Sequence, residues 1–189
     1  VLIEELGYAL APVPFVETVV CCGLTLADIG TDEQKSRFLP GISRGDRIMA
    51  LALTEADGAF DPDLTNLKAE PFRDGYQLNG TKLFVAGAAA ADYLLCLARA
   101  QGKPGEKLGL SFFIVKVDSS DVRVTPLDTI AGDRQCAVDF IDTYVAPENL
   151  LVASNSEFPM IQNTIQRGAV AECARMTGIA QHMLEMAVD

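Results

Sequence analysis

Asp74-Gly75-Tyr76-Gln77-Leu78-Asn79-Gly80-Thr81-Lys82 holds two turn dipeptides, Asp74-Gly75 and Asn79-Gly80, with Tyr76 and Leu78 alternating against polar neighbours between them. Asp-Gly and Asn-Gly favour tight hairpin turns because such turns need backbone that these residues adopt at little cost. The period of two resumes at Leu83 and Val85. Further on, Leu110-Ser111-Phe112-Phe113-Ile114-Val115 reads as a buried strand, and Val122 and Val124 alternate with Arg123 and Thr125. Val138, Phe140 and Ile141 mark one more strand. Short strands at close spacing from residue 48 to about 151 predict a small barrel or sandwich.

Both flanks are helical in pattern. Leu2, Leu6, Tyr8 and Leu10 precede a break at Pro12 and Pro14, after which Phe15, Val19, Val20 and Leu24 resume helical spacing up to Gly30. Thr31-Asp32-Glu33-Gln34 has the form of a capping box, and the helix it opens is expected to run through Phe38 and end at Pro40-Gly41. At the other end, Ile161, Ile165, Ala169, Val170, Met176, Ile179, Met183 and Met186 give an apolar helical face. Gly168, Ala171, Ala174, Gly178 and Ala180 add small residues that permit close helix approach. Nothing caps this helix before Asp189, so further protein is expected beyond it.

Composition narrows the function classes. The chain has 189 residues, 49% hydrophobic and 22% charged, as in an ordinary globular protein. A formal charge of −11 argues against nucleic acid and against anionic membrane surfaces as partners. It leaves room for a phosphorylated cofactor, since a local nest of backbone N–H groups holds phosphate on an acidic protein. Cys21, Cys22, Cys96, Cys136 and Cys173 form no CxxC pair, and His182 is the one histidine, so no metal site is expected. The cysteines read as small buried hydrophobes in a reducing compartment. No signal peptide is legible, the longest apolar run is too short for a bilayer, and a cytoplasmic location is expected.

The motifs run in the order of a known family. Met49-Ala50-Leu51-Ala52-Leu53-Thr54-Glu55 resembles the acyl-CoA dehydrogenase signature, a Thr-Glu pair at a strand end. The stretch from Asp74 to Lys82 is very close to that family's DGY-x-LNG-x-K segment, and Asp92 matches the Ala-Asp step after it. Upstream, Gly30 to Lys35 and Phe38-Leu39-Pro40 are similar to its GTEEQK…LP helix. Downstream, Gly132, Arg134, Asp139-Phe140 and Val145 to Leu151 fit its last β segments, and Arg167, Gly178 and Ala180 fit its first long C-terminal helix. The resemblance covers nearly the whole chain. It implies an α+β chain with a partial N-terminal helical domain over 1–47, a middle β-barrel domain over 48–152, and the first helix of a C-terminal helical bundle over 153–189.

The same resemblance implies FAD, an acyl-CoA thioester substrate, α,β-dehydrogenation, an electron-transfer flavoprotein as acceptor, and a homo- or hetero-oligomer. It places the flavin against the β domain, with Leu51, Leu53, Thr54, Ala59, Phe60, Phe84, Val85 and Ala86 as cofactor-binding residues and Phe60 also on the substrate side. No catalytic residue is expected in this chain, because the family's base lies in the C-terminal helical domain; the chain by itself is expected to be inactive. Two segments depart from the family. Ala59-Phe60 stands where a glycine and a serine are usual, and Phe84-Val85-Ala86-Gly87-Ala88 replaces a Trp-Ile-Thr-Asn-Gly run, so that Ala86 lacks a hydroxyl. The N–H of Ala86 is the substitute donor. These losses keep two alternatives open: a non-catalytic subunit of a heteromeric dehydrogenase, and an acyl-CoA oxidase or flavin monooxygenase on the same fold. A binding module without redox activity is the plainest alternative. Glu55, Asp57 and Asp61 read as a solvated acidic loop with Glu55 tying down backbone, and the Met176, Met183 and Met186 stripe as core or helix-interface filling.

Overall fold

In the computed structural model, which describes residues 1–56, 61–130, 132–151 and 157–188, two strands with apolar residues on both faces form the centre. These are β4, Tyr93–Arg99, and β5, Leu110–Lys116, paired antiparallel from Tyr93↔Lys116 to Arg99↔Leu110. Leu94, Cys96, Ala98, Phe113 and Val115 point into a core enclosed by the sheet. Leu95, Leu97, Phe112 and Ile114 point into a second core covered by helices. A strand buried on both faces reads as an unbroken apolar run, which is why Leu110–Val115 shows no alternation.

The other strands are β1 (Met49–Ala52), β2 (Lys68–Phe72), β3 (Gly75–Ala86), β6 (Val122–Pro126), β7 (Gln135–Val145) and β8 (Leu150–Leu151). The eight strands form one sheet in the order β6-β7-β3-β2-β4-β5-β8, with β1 paired to β4 off this path. β1 and β2 share one edge of β4: Met49–Ala52 runs parallel to Tyr93–Cys96, and Lys68 pairs with Arg99 further along. The sheet curls on itself, since Tyr76 of β3 meets Phe113 of β5 edge to face at 5.3 Å. Val138 and Phe140 of β7 share the inner core with that same Phe113. The architecture is the expected α+β, helices on either side of a curled sheet in the chain.

Asn79-Gly80 is not a turn. It lies inside the continuous β3, opposite a bulge where β7 contributes an extra residue. Asn79 donates to the Asp142 carboxylate at 3.0 Å and accepts the Asp142 N–H at 2.8 Å, which holds Asp142 at φ 53°. Gly80 is required there, with φ 141° and Leu67 Cδ1 2.8 Å from where a Cβ would stand. The hairpin turn is at Arg73-Asp74, where β2 and β3 close on the pair Phe72↔Gly75.

On the helical side, α1 (Leu2–Tyr8) ends before the two prolines. A π-helical segment, Val16–Gly23, then runs into α2 (Leu24–Ile29), and Gly30 leaves in extended conformation. The capping box of α3 (Asp32–Arg44) is present, Thr31 Oγ1 accepting from the Gln34 N–H and Gln34 Oε1 from the Thr31 N–H. The helix does not end at Pro40-Gly41; it continues to Arg44 and closes at Gly45, φ 78°. Proline removes one intrahelical hydrogen bond, while burial of Phe38, Gly41 and Ile42 on either side holds the helix together.

α4 (Glu157–Val188) has two faces. Ile161, Thr164 and Ala171 are buried against the chain. A methyl at Gly178 would collide with the carbonyl oxygen of Glu4, and one at Gly7 with that of Arg175, so α1 and α4 cross at two glycines. Met176, Met183 and Met186, read as core or interface filling, are exposed in this chain along with Val170 and Leu184.

Replacing Gly178 with Ala is expected to lower stability by about 1–3 kcal/mol, the usual cost of overpacking, read as a lower midpoint in urea or heat. A second expectation concerns thiols. Burial pushes Cys21 and Cys96 up to about 12 and Cys22 well above its ordinary value, and of the five cysteines only Cys173 is exposed. A thiol-specific chromogenic reagent should modify one cysteine promptly in the native chain and the rest only after unfolding.

Candidate functional site

Period-two alternation along β3 turns Leu78 and Lys82 toward the sheet interior, and continuing it would bury Phe84. The structure breaks the phase first. Between Lys82↔Val138 and Val85↔Cys136, β3 has one residue more than β7, a bulge that re-aims the side chains beyond it. Val85 is therefore buried at 1% exposure, and Phe84, at φ 54°, points outward with 53% of its surface exposed.

The bulge is fastened to the exit of β1. The Leu83 N–H donates to the Thr54 carbonyl at 2.8 Å. Lys82 Nζ, on a side chain with no exposed surface, donates to the Leu53 carbonyl at 2.9 Å and to Glu55 Oε1 at 2.7 Å. The Glu55 carboxylate accepts two more hydrogen bonds, from the N–H of Asn66 at 2.8 Å and of Leu67 at 2.9 Å. Glu55 thus ties down backbone as expected but is buried, not solvated, because Lys82 supplies its counter-charge inside the sheet. Asp61 is exposed; Asp57 lies outside the described residues.

The sequence-predicted cofactor residues divide into groups. Leu53 and Thr54 are brought beside Phe84, Val85 and Ala86, about thirty positions away along the chain, through the bonds just described. Leu51 and Leu53 are half-buried on the helical side of β1, where Leu51 also touches the small cluster around Val16 and Val20. The Val85 side chain fills the inner core, so its backbone alone faces outward. Ala59 and Phe60 lie outside the described residues. The Gly87 N–H donates to the Arg134 carbonyl at 3.0 Å. Antiparallel alternation then turns the N–H of Ala86 away from β7.

A half-exposed aromatic plane fits a planar conjugated ring. A planar ring cofactor could be met here by the ring of Phe84 and by the Leu53–Thr54 stretch that is bonded to the β3 bulge. Elsewhere, a groove of about 750 Å³ lies on the helical side over Pro14, Phe15, Val19, Leu24 and Ile42, and it contains none of these residues. Among the described residues no group of three or more His, Cys, Asp and Glu side chains can hold a metal. Of the remaining carboxylates, Glu172 pairs with Arg175 at 2.7 Å and Glu185 accepts the Tyr8 hydroxyl at 2.5 Å.

Sequence reasoning missed Lys82 and Arg99. Lys82 has the same strand phase as Leu78, and a charged residue in an inward phase signals a buried partner. Arg99 ends an apolar strand and donates to four backbone carbonyls, those of Asp63, Thr65, Glu106 and Leu108, at 2.5–3.1 Å. It fastens the turn at Pro62–Leu64 and the exposed loop around Lys103 and Lys107 to β4.

Residues 1–46 match the acyl-CoA dehydrogenase N-terminal domain, and residues 50–143 the acyl-CoA dehydrogenase middle domain. Over 173 residues the chain is 31% identical to acyl-CoA dehydrogenase FadE26 of Mycobacterium tuberculosis, covering 89% of this chain and 42% of that protein. It superposes on butyryl-CoA dehydrogenase from Megasphaera elsdenii with a TM-score of 0.90 at 28% identity, over 98% of this chain and 50% of the other. On the ChsE4–ChsE5 complex of Mycobacterium tuberculosis the TM-score is 0.78 at 30% identity, over 87% and 42%. The chain spans between 25% and 44% of the length of the curated relatives it matches.

Glu55→Ala strands the Lys82 ammonium inside the sheet without its counter-charge. Breaking a buried pair in this way costs about 3–5 kcal/mol, so equilibrium unfolding should show a loss of that size, where an exposed pair such as Arg44–Asp46 should lose under about 1 kcal/mol.

Proposed function

This chain belongs to the acyl-CoA dehydrogenase family, and on that footing we propose that the complete protein carries out FAD-dependent α,β-dehydrogenation of an acyl-CoA thioester. This chain contributes the flavin-facing sheet. The observation that carries the reading is the joining of the β1 exit to the β3 bulge, which brings the Leu53–Thr54 stretch next to the bulge that turns Phe84 outward.

When bound, the flavin accepts the hydride that leaves the β-carbon of the thioester. The work of this chain is to bind and orient. Phe84 offers a flat apolar face, and the Ala86 N–H offers a donor where the family carries a hydroxyl. A backbone N–H needs no side-chain ordering, so the substitution keeps a hydrogen bond worth about 1 kcal/mol net. Glu55 is not the α-proton base, since its oxygens are committed to Lys82 and to two backbone N–H groups. The base belongs, on the family pattern, to the C-terminal helical domain, of which α4 is the first helix. To Ala59 and Phe60, outside the described residues, the family pattern gives the phosphate and substrate side.

The partners that accompany this reading are an electron-transfer flavoprotein and further copies or a sister subunit, in the cytoplasm. No described helix is long and apolar enough to cross a membrane. Likeness to the ChsE4–ChsE5 complex favours a second reading, in which the chain is one subunit of a heteromer and the chemistry is completed by the other.

The purified complete protein is expected to show a visible flavin band that an acyl-CoA bleaches under anaerobic conditions. Lack of flavin at saturating FAD would overturn the reading. Bound flavin that no acyl-CoA bleaches until a sister subunit is added would favour the heteromer, and oxygen consumption with turnover would identify an oxidase.

A further inference from the structure

We propose that Lys82 is a positioning residue for the cofactor site: through Leu53 and Glu55 it fixes the exit of β1 against the β3 bulge, and so sets the spacing of the groups that face the ring. The inference rests on the flavin reading of that site.

One nitrogen holds both walls. Lys82 Nζ bonds the Leu53 carbonyl and the Glu55 carboxylate, so Thr54 lies between two residues gripped by the same ammonium. Leu83 and Phe84 follow Lys82 directly in the chain, and the bond from the Leu83 N–H to the Thr54 carbonyl closes the loop at 2.8 Å. Phe84 sits at φ 54°, a conformation that bulky residues keep only where surrounding bonds hold them.

Stability alone does not call for a charge here. Replacing a buried ion pair by uncharged side chains of similar volume is often neutral or stabilising. Apolar burial is also non-directional, and a methionine at this position would fill the space while leaving the Leu53 carbonyl and Glu55 without a bond to β3. What the ammonium adds is direction, and a bound ring needs its contacts placed to within about 0.5 Å.

The test uses the complete protein with both charges removed, Lys82→Met with Glu55→Gln. Glutamine keeps an acceptor for the N–H groups of Asn66 and Leu67, and no lone charge is left buried. The apoprotein should melt close to the unsubstituted one, while amide exchange at Leu83 should quicken roughly tenfold as its closing bond opens locally. FAD should bind about tenfold more weakly, the size expected for one lost directional contact, and the bound flavin should show a changed visible circular dichroism spectrum. A folded double variant that binds FAD with unchanged affinity and spectrum overturns the positioning role and leaves the flavin reading standing. Failure of the unsubstituted protein to bind FAD overturns that reading, and the role falls with it. Lys82→Arg, which keeps the charge beside Glu55 but moves the donors, is read in the same way should the double variant not fold; unchanged FAD binding again overturns the proposal.

Discussion

The buried ammonium of Lys82 and the carboxylate of Glu55 hold together three segments that are far apart in the chain. The residues they grip are Leu53 and Glu55 at the exit of β1, Asn66 and Leu67 at the entrance of β2, and the middle of β3. Every bond in this hub is charge-assisted, and such bonds are shorter and stronger than neutral ones. The hub thereby anchors both the exit of β1 and the entrance of β2. Apart from the pair, the β1 exit is bonded to β3 through the Leu83 N–H and the Thr54 carbonyl, and β2 to β3 through their ladder.

Two bulges then decide which side chains face outward. One lies on β7 at Ile141–Asp142 and the other on β3 at Leu83–Phe84, and each carries a non-glycine residue at positive φ. The Asn79 side chain pins the first. The β1 exit pins the second, with the consequence that Phe84 and Val85 exchange faces. A strand without this bulge would bury its aromatic and present a valine, leaving no planar surface beside the Ala86 N–H.

Arg99 does at the far end of β4 what Lys82 does near its middle, with carbonyl oxygens as its partners. β1, β2 and β5 cover the edges of β4, while the inner core and the helix-covered core bury its two faces. The helical layer is attached by contact of a different kind. Gly7 and Gly178 let backbone meet backbone where α1 crosses α4, and Gly168 makes room for the Cys21 sulfur of the π-helical segment.

The order of helical, β and helical zones was legible in the sequence because hydrophobic period is a local property. The capping box at Thr31, the break at the two prolines and the doubly buried β5 follow from residues close in the chain. So did the family, since its motifs are short and contiguous. Asn79-Gly80 misled, because a dipeptide preference for turning is weaker than the pairing of Asn79 with β2 and of Gly80 with β7. Pro40 misled in the same way, one lost hydrogen bond being outweighed by the burial of Phe38 and Ile42. Only the tertiary structure paired Lys82 with Glu55 and turned Phe84 outward, because a buried charge takes its partner from whatever segment folds against it, and a bulge's phase shift depends on the neighbouring strand.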